Sequence, residues 1–305
     1  MRVVAAVVAV LLSGVATQCS SAKSPVSSPT TAPHTSPTTP TTPSSSVPGS
    51  PASTSSTSTT STTQPVPATT SLAVYFVRGN YLGVAHRSVA YTTSVGGAAV
   101  GALLGGPNAA ERAEGLSSAV PSGSILLGLT VSAGRATVNL NSAYATAGTP
   151  SSELNRIAQV VFTLTQFPTV QTVNFQINGA TPMTFASGAV DLTRALGRSD
   201  VLGALPAILV ENPAVGDVLH GSLHLSGMAN VYEAQFRVQL IDGSGHVLVD
   251  QPVMATAGTG TWGTFDTTYR FTATTASTAT LRVYDLSAKD GTPQNEVDLH
   301  LTAGP

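Results

Sequence analysis

The sequence predicts an α+β domain followed by an all-β sandwich, both carried behind an export signal and a long polar tether. Three observations predict this. A helix-period pattern at residues 149–168 sits among short alternating runs. From Ile208 onward only alternating runs and turn signals remain. Between an N-terminal apolar run and Leu72 the chain is almost entirely Ser, Thr and Pro.

Residues 1–19 read as a signal segment. Arg2 supplies a minimal positive region, Val3 to Leu12 is unbroken apolar sequence, and Ser13-Gly14 ends it. The run is shorter than the ~18–20 residues that span a bilayer, which fits a secretory signal. Cys19, the one cysteine, stands in "VATQCSS" where a lipobox places its lipidated residue, with Gln18 in front of it. The other reading is a plain secretory signal cleaved after Ala16 or Ala22. Either way the mature domains have no cysteine and therefore no disulfide framework.

Residues 20–71 form the tether. So little apolar surface cannot offset chain entropy, so this segment is expected to stay extended. About fifty residues stretch to on the order of 150 Å, enough to hold folded domains away from a membrane.

The first folded domain, 72–182, opens with two strands, "LAVYFVRG" and "GVAHRSVAY". "SVGGAAVGALLGGP" is a short helix ended by Gly105-Gly106-Pro107. "SILLGLTV" and "GRATVNLN" are strands joined by a tight turn. The helix at 149–168 has Thr149 as cap, Pro150 in its first turn and Pro168 as stop. Its Leu154, Ile157, Ala158, Val161 and Leu164 share one face, so it is expected to pack that face on a sheet. "VQTVNFQI" is the last strand. The order β-β-α-β-β-α-β is α+β, a small sheet with helices on one face.

A connector spans 183–206, and the second domain occupies 207–305. In "EAQFRVQLIDGSGHVLVD", Phe236, Val238 and Leu240 alternate with Gln235, Arg237 and Gln239 about a "DGSG" hairpin turn. "TFDTTYRFTA", "TATLRVYDLS" and "EVDLHLT" continue the pattern. Six or seven short strands in about one hundred residues are the pattern of an immunoglobulin-like sandwich.

Composition excludes a polyanion binder. Charged residues are 9% of the chain and the net charge is −2, so no basic stretch can gather phosphates and no nucleic-acid partner is expected. "GTGTWG" (258–263) matches G-x-G-x-x-G, but a strand follows it, so there is no helix N-terminus to hold a pyrophosphate. It reads as a connection between sheets, with Trp262 packing over the end of the sandwich and Phe265, Tyr269 and Phe271 facing inward. His220 and His224 lie on one strand, about 13 Å apart, too far to share a metal. Asp242, Ser244 and His246 are compressed into one turn and read as a polar turn rather than a triad. Glu111 and Glu114 read as a solvated helix end, and Glu153 as a carboxylate complementing a helix dipole. No catalytic, cofactor-binding or metal-binding residues are assigned, no cofactor is expected, and the chain is read as a non-enzyme.

The stretches "ALLGGP", "GLSSAVPSGSILLGLTVSAGRATVNLN" and "ELNRIAQVVFTLTQFPTVQTVNFQING" resemble the GerMN domain of bacterial sporulation and germination proteins. "ILVENPAVGDVL", "LHLSGMANVYEAQFRVQLID", "GTWGTF" and the late "NEVDLHL" resemble Gmad2, the immunoglobulin-like module that accompanies it. The resemblance implies an envelope protein, often a lipoprotein, without known catalytic residues. In some relatives GerMN-like folds resemble ring-building modules that pack side by side. The expected function is therefore a non-catalytic, exported, membrane-tethered interaction or scaffold module. Its expected partners are envelope proteins or further copies of itself, with a membrane anchor at Cys19. Its expected place is the outer face of the cytoplasmic membrane or the cell wall, with secretion as the alternative. The alternative function is binding of a cell-wall carbohydrate or peptide through aromatic contacts around Trp262.

Overall fold

A computed structural model describes residues 69–305. The signal, Cys19 and nearly all of the tether lie outside the described residues. The first strand, β1 (Thr69–Arg78), begins three residues ahead of the expected Leu72 and pairs antiparallel with β2 (Tyr81–Ala90). The expected first helix is two. After α1 (Val95–Leu104) the chain turns at Gly105-Gly106-Pro107 and starts α2 (Ala109–Ala113). A capping box launches α2. The Asn108 side chain accepts from the Glu111 N–H at 2.9 Å, and Glu111 accepts in return from the Asn108 N–H at 2.7 Å. Next come β3 (Leu116–Ser117), β4 (Leu126–Ser132), β5 (Arg135–Leu140), α3 (Pro150–Thr165) and β6 (Thr172–Ile177). The α+β class stands. Its strands divide between two three-stranded sheets, β2-β1-β3 and β4-β5-β6, rather than forming one.

Helix α3 holds the two sheets together. Thr149 caps it, accepting from the Ser152 N–H at 3.2 Å, with Pro150 in its first turn. Contrary to the one-faced helix the apolar spacing suggests, α3 is buried on all sides from Asn155 to Leu164. The chain expected as a connector covers the remaining face. Phe185, Leu192, Leu196, Val201, Ala204 and Leu205 all enter the same core as α3. Glu153, expected only to complement the dipole, is buried and anchors this segment by accepting from the Ser187 N–H at 3.0 Å and from the Ser187 hydroxyl.

One polar stripe on α3 has a structural role. Strand β1 pairs with β3 only at Val77 and Arg78, which leaves the rest of that edge without a strand. Gln159, Thr163 and Gln166, four and three residues apart on the helix, supply the missing partners. Gln166 accepts from the Ala73 N–H at 2.9 Å and donates to its carbonyl at 2.7 Å. Thr163 accepts from the Tyr75 N–H at 3.2 Å, and Gln159 donates to the Tyr75 carbonyl at 3.0 Å. Buried backbone groups need such partners, and here helix side chains stand in for a strand.

The C-terminal part is the expected sandwich, with eight strands: β7 (Ile208–Asn212), β8 (Val218–His220), β9 (Ser222–Ala229), β10 (Gln235–Asp242), β11 (Val247–Met254), β12 (Gly263–Arg270), β13 (Ser277–Leu286) and β14 (Pro293–Gly304). One sheet has the order β11-β10-β13-β14-β8 and the other β12-β9-β7, with β8 parallel to β14. The strand expected to carry both His220 and His224 is broken at Gly221, whose φ of +59° turns the chain from one sheet to the other. Inward residues of both sheets form the second core, with Phe236 and Phe265 edge to face at 4.9 Å.

Two consequences are measurable. Gln159→Leu strands the buried Tyr75 carbonyl and the half-buried Ala119 N–H, which donates to Gln159 at 2.8 Å. Urea unfolding is expected to show a loss of about 2–4 kcal/mol, against near-neutrality if the stripe were incidental. The second concerns acid. Burial alone would raise the carboxyls of Glu111 and Glu153, but Arg87 and the Asn108 N–H, and the Ser187 hydroxyl and N–H, hold both below the usual carboxylate range. Groups so depressed stabilise the fold fully above about pH 4.5 and lose that contribution as pH falls through their folded values. The acid limb of a stability–pH profile is expected to flatten in Glu153→Gln, and an unchanged limb would contradict this.

Candidate functional site

The two parts meet through side chains that no local pattern marks. Tyr75 sits in β1 with its ring 5.3 Å from that of Phe162 on α3, and its hydroxyl donates to the Glu211 carboxylate of β7. Burial, with the neighbouring Glu211 carboxylate, pushes the Tyr75 phenol up, so it remains a donor. Arg198, from the 3₁₀ segment Arg198–Ala204, donates to the same Glu211 oxygen at 2.7 Å and to the Tyr75 oxygen at 3.2 Å. Its guanidinium lies 4.5 Å over the Phe162 ring, and its Nε donates to Thr165 at 3.0 Å. One sandwich carboxylate is thereby gripped by a tyrosine, an arginine and the helix behind them.

Two further contacts flank this grip. The two ring nitrogens of His86 in β2 face acceptors, the Asp217 carboxylate at 2.7 Å and the Glu211 carbonyl at 3.1 Å. Asp217 is itself fixed by accepting from the Ala214 N–H at 2.9 Å. On the other side His300 of β14 meets Glu114 at 2.6 Å. The described residues, 69–305, accordingly belong to one compact unit.

A cleft of about 400 Å³ lies at this joint. Its walls are apolar, with Leu82, Val84 and Leu116 from one part and Ile208, Val210 and Leu299 from the other. Tyr81, 47% exposed, and Arg78, Glu296 and Asp298 line it as well. Arg282 holds the acidic pair, at 2.8 Å from Asp298 and 3.3 Å from Glu296. Strands β2 and β7, which border the cleft, are both edge strands of their sheets. Concave, mainly apolar sites with a few polar groups occur preferentially at such domain joints.

Of the residues singled out in the sequence, Glu114 reaches the joint through His300, and none lines the cleft. Cys19 lies outside the described residues. Trp262 is half-buried and packs against the first core, which is shared by α3, the 183–206 segment and Leu209 of the C-terminal part. Phe265 and Phe271 are buried and Tyr269 half-buried, sharing the inward face as expected. The "GTGTWG" segment does carry the chain from one sheet to the other, between β11 and β12. It docks on the β9–β10 loop, with the Thr259 N–H donating to the Val231 carbonyl at 2.8 Å. Gly258 must be glycine there, because an added Cβ would lie 2.4 Å from the Ala234 nitrogen.

His220 and His224 are exposed, and His224 pairs with Asp266 at 2.9 Å. Asp242 Oδ1 accepts from the N–H groups of Ser244 and His246, each at 2.9 Å, in a local polar turn. Glu111 is not solvated. It is buried against Arg87 of β2, which donates to it at 2.9 and 2.5 Å. Glu114, expected beside it in solvent, reaches His300 instead. Among the described residues no three His, Cys, Asp or Glu side chains converge as metal ligands, and no helix is long and apolar enough to cross a membrane. The joint residues Tyr75, His86, Arg198, Glu211 and Asp217 were missed because each is a lone polar residue in its own segment.

Residues 55–182 match the family described as sporulation and spore germination (Germane). Residues 207–292 match the immunoglobulin-like domain of bacterial spore germination (Gmad2). Among solved structures, the chain is similar to the first GerMN domain of the sporulation protein GerM from Bacillus subtilis, with 21% identity and a TM-score of 0.38, covering 43% of this chain and 99% of that one. It is also similar to the tandem GerMN domains of the same protein, with 14% identity and a TM-score of 0.39, covering 77% of this chain and 61% of that one. No curated protein matches the chain.

Trp262 offers a probe of the joint. Its emission is expected to be blue-shifted and partly protected from acrylamide. Glu211→Ala leaves the Tyr75 hydroxyl and Arg198 without their acceptor, costing about 2–3 kcal/mol. It is expected to shift that emission to the red while far-ultraviolet circular dichroism stays intact. Identical spectra and quenching in the two proteins would show that the carboxylate does not hold the joint.

Proposed function

We infer, from a chain that joins a Germane (GerMN) domain to a Gmad2 domain, that this protein is an exported, non-catalytic interaction module of the cell envelope. The observation that carries the reading is the apolar cleft held open at a joint braced by the Glu211, Asp217 and His300 contacts. A joint fixed in this way presents one shape to a partner, which lowers the ordering cost of binding. Its apolar walls, with Arg78, Glu296 and Asp298 among the lining residues, suit a protein segment that buries apolar side chains between them. The envelope partner is thus read as a protein. The scaffold role follows from one chain offering two domain surfaces at the end of a tether.

The N-terminal sequence supports an anchor at the outer face of the cytoplasmic membrane. An apolar run of signal length ends just before Cys19, and a Ser/Thr/Pro-rich stretch follows. A single lipid-bearing residue and a long tether would place the folded unit within or beyond the wall. Two variants of the intact protein in its native cell test the reading. Cys19→Ala is expected to move the protein from the membrane fraction to the medium, and retention in the membrane would defeat the lipid anchor. Tyr81→Glu at the mouth of the cleft is expected to reduce capture of envelope partners at least tenfold with unchanged thermal stability. Equal capture by both forms would place binding outside the cleft.

A further inference from the structure

Every strand edge among the described residues is short, charged, interrupted by proline or covered, except one. Strand β11 contains Asp250 and Pro252, β12 carries Asp266 and Arg270, and β2 and β7 face each other across the joint. Strands β3 and β8 are only 2 and 3 residues long. The free edge of β6 is closed where Val173 and Leu196 exchange backbone hydrogen bonds at 2.8 and 2.9 Å. Strand β4, the opposite edge of that sheet, has only β5 as a partner.

Its sequence makes that edge adhesive. From Ile125 to Gly134 there is neither a charge nor a proline. Ile125 is 57% exposed, Leu127 51% and Val131 48%. The one guard is a bulge between Leu126 and Gly128, which leaves Gly128 to Ser132 in regular register. Beside the strand, Leu129 and Val131 border a groove of about 270 Å³ with Gly96, Leu164, Phe167 and Val170. Natural edge strands generally carry lysine, proline or inward charges against such pairing.

We propose that β4 is the interface through which a second copy of this chain pairs, antiparallel and edge to edge. The proposal rests on the reading of the chain as an interaction module and names one of its partners. Charge decides the occupant. A strand without charged residues leaves an acidic or basic partner segment with desolvated, unpaired charges, whereas a second β4 is equally neutral and apolar. Antiparallel pairing of a strand with itself is isologous, so it closes at two copies. The result is a six-stranded sheet of order β6-β5-β4-β4-β5-β6, in which apolar side chains of each copy reach the groove beside the other's β4. Seven paired residues and a small groove bury less than the ~800 Å² per partner of a standard interface, so the dimer is weak and concentration-dependent. Tethering copies to one surface raises their effective concentration and favours the pair.

Sedimentation of the full chain, carrying Cys19→Ala for solubility, tests this from low to high micromolar concentration. The mass is expected to rise toward that of two copies. Leu127→Lys and Val131→Lys, both at exposed positions, are expected to hold it at one copy with unchanged melting temperature. Val247→Lys, on the exposed edge of the sandwich, is expected to behave as the parent. Amide exchange gives a readout that needs no variant, since Gly128–Ser132 should become protected as concentration rises. A single-copy mass throughout, or a dimer that survives both lysines, overturns the proposal. Continued Tyr81-dependent capture of envelope proteins by a single-copy chain would leave the interaction-module reading standing without it.

Discussion

The backbone of β1 between Ala73 and Tyr75 is the constraint on which the rest of this structure depends. It lies in the core with no strand on one side, and unpaired buried amides cost about 1–3 kcal/mol each. Gln159, Thr163 and Gln166 on α3 meet that requirement, which fixes the helix in both rotation and height against the strand. With α3 fixed, β6 and the 183–206 segment have one surface to pack on, and the first core closes around it. A helix that serves as a strand's neighbour must be buried, so its second face needs a cover. The segment expected as a connector supplies that cover.

Tyr75 extends the same constraint to the sandwich. Its amide and carbonyl belong to the α3 ladder, its ring packs on Phe162, and its hydroxyl reaches Glu211. Residues holding the first core in register therefore also orient the second part through Arg198 and Glu211. The cleft depends on this coupling. Two domains on a free linker would leave Leu82 and Val210 opposed only part of the time, whereas a braced joint keeps the walls at one spacing. Removing one partner of these half-buried pairs leaves the other without its counter-charge, so the contacts tie the geometry of the joint to Glu211 and Asp217.

Much of the fold was legible from local pattern. Alternation identified the strands around the "DGSG" turn, and Thr149-Pro150 marked the start of α3 to the residue. The failures share a cause. Glu111 reads as a solvated helix end and Glu153 as a dipole partner because sequence gives each residue its neighbours along the chain but not Arg87 or Ser187 across space. His220 and His224 looked like one strand because alternation continues through Gly221, and only the sheet assignment reveals the change of direction. The polar stripe Gln159, Thr163 and Gln166 was a signal available at helical spacing, and it was obscured by the stronger apolar stripe on the same helix.

By itself the sequence determined the two domain classes and their order, because composition and periodicity are properties of contiguous residues. It also determined that a strand, not a helix, follows "GTGTWG". Only the tertiary structure decided that the two parts act as one unit, with a cleft at the joint and a bare edge at β4. Tyr75 and Glu211 are 136 residues apart, and nothing in either segment specifies the other. Such pairs are selected when two folded surfaces meet and their buried polar groups must find partners, a requirement that acts on surfaces and not on runs of sequence.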